Sequence, residues 1–210
     1  MFTSTLSALA WLSAGGAIGA ELRGKRRVVY LCKPLTMVGM ILLALLPPHG
    51  AAPTYRALIV AGLLCSLGGD VLLMLPTDRF LAGLGAFLCA HILYAMAFCV
   101  QTTDLGPWYL AIPFILALAL VTRLLWSSLG ALKPPVLAYE IVILVMAWRA
   151  WLAWATLGAG RALLAAAGAT LFVASDVMLA YNRFLRPLRG APIWILGTYF
   201  AAQWLLARST

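Results

Sequence analysis

The chain has 210 residues, 64% of them hydrophobic and 10% charged, with a mean hydropathy of +1.00. A soluble globule is roughly half apolar and about a quarter charged, so this chain lacks the polar surface to coat a core and reads as a polytopic membrane protein. Its net charge of +9 would suit nucleic acid, but the basic residues form no stripe or groove, and nucleic-acid binding is excluded on that ground.

Apolar runs punctuated by charge, proline and glycine predict eight helices, at 2–20, 28–46, 56–75, 80–100, 108–126, 135–156, 161–180 and 190–207. A hydrocarbon core of about 30 Å needs roughly 20 residues per helix. Eight helices therefore consume most of the chain, and residues 1–210 form one integral membrane domain. No basic residues precede the first apolar run, which is expected to stay as a span. Leu75-Pro76-Thr77-Asp78 predicts a tight hairpin between helices three and four, and Gly158-Ala159-Gly160 joins helices six and seven. Cys32, Cys65, Cys89 and Cys99 all fall in apolar runs without Cys-x-x-Cys spacing, which predicts buried thiols rather than disulfides or metal ligands.

The loops after helices one, three, five and seven hold ten Lys or Arg: Arg23, Lys25, Arg26 and Arg27, then Arg79, then Arg123 and Lys133, then Arg183, Arg186 and Arg189. The remaining loops and tails hold three, Arg56, Arg161 and Arg208. The positive-inside rule then puts the richer loops in the cytoplasm and both termini outside a bacterial inner membrane. The chain also echoes itself. Gly69-Asp70-Val71 with Arg79-Phe80-Leu81 corresponds to Ser175-Asp176-Val177 with Arg183-Phe184-Leu185, and Lys33-Pro34 to Lys133-Pro134. This predicts a parallel four-plus-four repeat with its site where the halves meet.

An ionisable group inside the bilayer costs roughly 2.5–3.5 kcal/mol on insertion scales and is a functional hypothesis by default. Glu21, Asp78 and Asp104 fall in loops, whereas Lys33, Asp70, His91, Glu140, Arg149 and Asp176 fall within spans. At 1.5 Å per residue, Lys33, Asp70, Glu140 and Asp176 each lie about 9–10 Å from the cytoplasmic edge. One polar pocket holding all four is therefore expected, with His91 nearer the midplane. His91 and Tyr94 share a stripe of helix four, Gly62, Ser66 and Gly69 a face of helix three, Ala169, Phe172 and Asp176 a face of helix seven, and Tyr199 and Gln203 lie one turn apart.

Each of these has a plainer reading. Asp70 and Asp176 can be structural partners of Lys33 or Arg149, Glu140 can position rather than react, and His91 can be a hydrogen-bonded core residue. Arg149, flanked by Trp148, Trp151 and Trp154, reads as an interface anchor.

With only His49 and His91, a multi-histidine zinc site cannot be built. No Gly-x-Ser-x-Gly elbow and no phosphate loop is present. What remains is a pair of carboxyls in a low-dielectric pocket, one keeping its proton as acid and the other ionised as base. An intramembrane aspartyl protease would also use two aspartates, but its Gly-x-Gly-Asp and Tyr-Asp motifs are replaced here by Gly68-Gly69-Asp70 and Ser175-Asp176.

Taken in order, Lys33-Pro34, Gly69-Asp70, Phe80-x-x-Gly83-x-x-x-Phe87-x-x-x-His91-x-x-Tyr94, Tyr139-Glu140, Gly168-Ala169-x-x-Phe172-x-x-Ser175-Asp176, Phe184 and Tyr199-x-x-x-Gln203 span nearly the whole chain. The pattern resembles the YhhN-like lysoplasmalogenase family of eight-helix membrane proteins. The resemblance implies hydrolysis of the vinyl ether bond of a lysophospholipid substrate, a lysoplasmalogen, drawn from the surrounding membrane lipids. It implies Asp70 and Asp176 as catalytic residues and Lys33, His91, Tyr94, Tyr139, Glu140, Ser175, Tyr199 and Gln203 as substrate-binding ones. One Asp would give a proton to carbon and the other stabilise the resulting cation and activate water, much as glycosidases do, with no metal or redox cofactor. Lys33 would hold the substrate phosphate. A proton-coupled lipid transporter or flippase, and a non-catalytic lipid-binding protein, are the competing classes. Removing either buried Asp charge is expected to cost little stability.

Overall fold

The computed structural model describes residues 2–46, 51–77, 79–158 and 160–210, Phe2 by its backbone alone. His49, Asp78 and Ala159, and with them part of both predicted junctions, lie outside the described residues. The described chain folds into eight helices: α1 (Phe2–Leu22), α2 (Arg26–Leu45), α3 (Pro53–Met74), α4 (Phe80–Gln101), α5 (Ile112–Leu125), α6 (Lys133–Leu157), α7 (Gly160–Phe184) and α8 (Ala191–Arg208). Short 3-10 turns at Trp108–Ala111 and Gly130–Leu132 lead into α5 and α6. Prolines open α3, α5, α6 and α8, where a missing N–H leaves no helical bond unmade. Gly158, with φ +61°, ends α6 in the left-handed conformation that suits glycine.

Among the described residues, six stretches are long and apolar enough to cross a membrane: α2, α3, α4, Trp108–Leu125, Gly130–Leu157 and α7. α1 and α8 fall outside that set. Thr3, Ser4, Thr5, Ser7, Ser13 and three glycines dilute the first, while Gln203 and Arg208 dilute the second.

α7 runs to Phe184, one turn beyond the predicted end. The extension is held by Phe184 edge-on to Phe80 at 5.7 Å and by the Arg183 guanidinium 4.0 Å over the Phe80 ring. Of the expected internal echo, the two aspartates sit at matching heights, as the eighteenth residue of α3 and the seventeenth of α7. The Lys-Pro pairs do not match: Lys133 opens α6, but Lys33 is the eighth residue of α2.

Without a hydrophobic drive between helices in lipid, close approach depends on small residues. A Cβ at Gly168 would lie 3.1 Å from the Ala202 carbonyl oxygen, and one at Gly69 would meet the Phe87 ring at 2.7 Å. So α7 packs directly on the α8 backbone, and α3 accepts an α4 aromatic beside Asp70. α5 is the exception. Leu125 is its one fully buried residue, while Ile115, Leu116 and Leu120 face outward.

Arg149 was expected as an interface anchor, but it is buried in α6. Its guanidinium donates to the carbonyl of Thr102, the C-cap of α4, and at 2.9 Å to that of Asp104 in the loop beyond. The cause is the run of unpaired carbonyls that any helix leaves at its end.

Candidate active site

Three residues of α2, Arg26, Tyr30 and Lys33, recur at helical spacing and turn one face toward the bundle. Lys33 Nζ lies 2.8 Å from Asp70 Oδ1, and the Tyr199 hydroxyl donates to Asp70 Oδ2 at 2.6 Å. Both oxygens of Asp70 are thus engaged, and its side chain is 2% exposed. Lys33 also lies 5.9 Å from the Tyr199 ring centroid, so ammonium, carboxylate and phenol form one compact group.

Asp176 has different company. The Tyr139 hydroxyl donates to its Oδ2, and His91 Nε2 stands 3.5 Å from the same oxygen and 2.8 Å from the Tyr139 oxygen. Its side chain is 17% exposed. Phe172 links the two corners from behind, edge-on to His91 at 4.6 Å and to Tyr199 at 5.4 Å.

Both aspartates line one cavity of about 420 Å³, together with Lys33, Ser175 and Tyr199. Glu21, Arg26, Tyr30 and Asn182 also border it, so the cavity lies at the end of the bundle where α1, α3 and α7 finish and α2 and α8 begin. A second, smaller cavity of about 120 Å³ adjoins it between α4, α5, α6 and α7. Its walls are almost wholly apolar, and Leu73, Phe87, Asp176 and Leu179 border both spaces.

The single pocket expected for four charges is therefore divided. Lys33, Asp70 and Asp176 share the charged cavity, while Glu140 and Tyr139 line the apolar one. Neighbouring residues on a helix point about 100° apart. Hence Tyr139 turns to Asp176 on α7, and Glu140 turns to α5, where Thr122 donates to its Oε2 at 2.6 Å.

His91, Tyr94 and Gln203 are fully buried and border neither cavity. They back it instead: the Tyr94 hydroxyl donates to Gln203 Oε1 at 2.9 Å, tying α4 to α8. Ser175 lines the charged cavity, but its hydroxyl donates to the Ile195 carbonyl at 2.9 Å and holds α7 to α8.

Four bordering polar groups, Glu21, Arg26, Tyr30 and Asn182, escaped the sequence reading as site residues. Arg26 and Tyr30 precede Lys33 by seven and three residues, a spacing that marks one helix face and was visible in the sequence. Thr122 carried no such signal, because its pairing with Glu140 depends on how α5 docks on α6.

A helical membrane bundle with a carboxylate-lined cavity at one end defines the class: an integral membrane protein built around buried acid groups. Matching over residues 28–210 gives the family, and the chain belongs to the YhhN family. It is 33% identical over 200 residues to the membrane protein YhhN of Escherichia coli O157:H7, covering 95% of this chain and 93% of that one. It is 37% identical over 155 residues to the lysoplasmalogenase TMEM86B of Sus scrofa, covering 74% and 64% of the two chains. With the human lysoplasmalogenase TMEM86B the identity is 34% over 178 residues, covering 85% and 72%. No solved structure matches the chain.

Proposed function

We propose that this protein is a membrane-embedded lysoplasmalogenase, hydrolysing the vinyl ether bond of a lysoplasmalogen to a fatty aldehyde and a glycerophospho-ethanolamine or -choline. One observation carries the reading: a buried and a partly buried aspartate with unlike partners border the same cavity in a chain related to lysoplasmalogenases.

In this reading Asp70, bound to Lys33, is the fixed carboxylate, and Asp176, beside a phenol and an imidazole, is the acid. Asp176 gives its proton to the vinyl carbon that does not bear oxygen. The electron pair of the double bond forms the new C–H bond and leaves an oxocarbenium ion at the other carbon. Asp70 stabilises that cation electrostatically, and water adds to it with loss of a proton to the now ionised Asp176. The hemiacetal collapses to the aldehyde and the free glycerol hydroxyl, so atoms and charge balance without a cofactor. Preorganised charge aimed at a developing cation is worth most in a water-poor site. Lys33 and Arg26 supply positive charge for the substrate phosphate. Tyr139, Tyr199 and His91 orient the carboxyls, while Tyr94, Gln203 and Ser175 hold the helices that carry them.

All eight helices span a bacterial inner membrane in this reading, α1 and α8 included, with both termini outside. The cavity mouth then faces the cytoplasmic leaflet, on the side of the ten loop charges. The function test incubates purified protein with alkenyl and matching alkyl lysophospholipids. Aldehyde from the alkenyl lipid alone is expected; no aldehyde, with lipid moved between leaflets of a vesicle, would favour transport instead. For topology, a C-terminal periplasmic phosphatase fusion should be active and a cytoplasm-dependent fluorescent fusion dark. The reverse pattern would move the cavity to the outer leaflet.

A further inference from the structure

The apolar chamber beside the charged cavity is unused by the chemistry above. Two adjoining spaces of opposite character, meeting at one carboxyl, fit an amphiphile whose reactive bond lies between its polar and apolar parts. We infer that this chamber receives the first carbons of the substrate's alkenyl chain, an assignment that rests on the lysoplasmalogenase reading.

Three observations carry it. First, the chamber and the charged cavity have Leu73, Phe87, Asp176 and Leu179 in common, so a ligand that occupies both, with its phosphate near Lys33, runs beside Asp176. The bond between headgroup and chain then lies beside that carboxyl. Second, most of the wall is aliphatic, Val136, Ile143, Val173, Val177 and Ala180 among it, with Tyr139, Glu140 and Arg183 as its polar members besides Asp176. Third, the volume is small. At roughly the 30 Å³ that one water takes in the liquid, a space of about 120 Å³ holds on the order of four methylene-sized groups. A longer chain must leave it, and α5 is where it can. That helix contributes only Ala117 and Val121 to the wall, buries little of itself, and presents Ile115, Leu116 and Leu120 outward. The chamber therefore grips the chain next to the ether and releases the rest toward the bilayer.

This arrangement dictates an unusual chain-length profile. kcat/KM should climb as carbons are added to about the fourth beyond the vinyl group and then flatten, and a methyl branch within that stretch should be rejected. Narrowing the chamber with Ala180→Leu or Ala117→Phe should lower kcat/KM for long chains about tenfold or more, the scale of one misplaced methylene in an apolar pocket. Leu163→Phe, exposed on α7 and bordering neither cavity, should leave it unchanged.

An activity-independent measurement keeps the two readings apart. An alkyl-ether lysophosphatidylethanolamine bearing a diazirine on the third chain carbon, photolysed with wild-type protein, should label peptides containing Val121, Val136, Val177 or Ala180. Labelling there without aldehyde release from the alkenyl lipid would keep the chain site and end the hydrolase. Turnover with labels confined to other faces of the bundle, or a profile that keeps rising to long chains, would overturn the chain site and leave the hydrolase standing.

Discussion

Asp70 and Asp176 occupy nearly the same height on α3 and α7, and each is met by a residue 37 positions earlier in the chain, Lys33 for one and Tyr139 for the other. Each is also met by a ring from the opposite half, Tyr199 of α8 for Asp70 and His91 of α4 for Asp176. The corners are alike in spacing and differ in both partners, an ammonium against a phenol and a phenol against an imidazole. That difference teaches how two chemically identical side chains acquire unlike tasks. In the proposed mechanism the carboxylate paired with a buried cation keeps its charge, since protonating it would strand the cation. The carboxyl beside the Tyr139 hydroxyl and the His91 imidazole is the one that, in the same mechanism, gives and retakes the proton. The proposed mechanism needs one of each.

The largest effect expected is on turnover. Asp176→Asn keeps the shape but removes the exchangeable proton, so kcat should fall by about 10²–10⁴, the usual contribution of general acid–base catalysis. Its thermal midpoint in detergent should stay near that of the wild type. Asp70→Asn should lose comparable activity, and the double mutant should be little worse than either single, because residues acting as a unit are non-additive. Wild-type-like turnover by either folded single mutant would end the two-carboxylate mechanism and make Glu140 the next candidate.

Stability separates the corners more sharply. Asp70→Asn leaves Lys33 buried without its partner, and breaking a buried pair from one side costs about 3–5 kcal/mol. Removing both partners should be milder. Lys33→Met combined with Asp70→Asn should therefore recover much of the thermal midpoint lost by Asp70→Asn, while activity stays lost. If Asp176→Asn proved the unstable one, the assignment of fixed and exchangeable carboxyls would have to be exchanged.

A third comparison removes one hydroxyl from each corner. A hydrogen bond to a charged group is worth about 1.5–3 kcal/mol, but Asp70 keeps Lys33 when Tyr199 is truncated. Tyr139→Phe should therefore lower kcat about tenfold, and Tyr199→Phe by less, as measured by aldehyde release at saturating lipid. Equal effects would mean that Lys33 does not dominate the Asp70 corner.

Helix number and position were legible because every apolar run ends in proline, glycine or a cluster of charge, and the deepest ionisable groups stood out against an apolar background. The partners of those groups were not. Lys33 and Arg149 were both open as partners for the aspartates, and only the packing shows Lys33 on Asp70 and Arg149 turned to the end of α4. The expectation that losing either Asp charge costs little stability treated the two aspartates alike. With Lys33 on Asp70, the larger loss is expected there. Depth along a helix was readable at 1.5 Å per residue, but the direction in which a side chain points was not. That is why Glu140, at the right depth, faces α5 rather than the charged cavity. The Lys-Pro echo misled for another reason: matching letters do not guarantee matching height on a helix.

The smallest expected effect concerns Arg26, which sharpens the comparison by testing a charge outside both corners. It borders the charged cavity at the start of α2, one helix face with Lys33, but it is exposed where Lys33 is buried. An exposed charge acts through solvent and is worth about 0.2–1 kcal/mol, and a contact to the phosphate is made equally in the ground and transition states. Arg26→Met should therefore raise KM about two- to fivefold and leave kcat alone, the signature of uniform binding. Salt provides the control. Screening between exposed charges strengthens as the Debye length shrinks from about 10 Å at 0.1 M to about 3 Å at 1 M, so the wild-type KM should rise with salt and the Arg26→Met KM should rise less. Lys33→Met, by contrast, should lower kcat as well, because it removes both phosphate charge and the lock on Asp70. A kcat effect from Arg26→Met, or none from Lys33→Met, would show that the line between binding charge and catalytic charge runs elsewhere than at the buried ion pair.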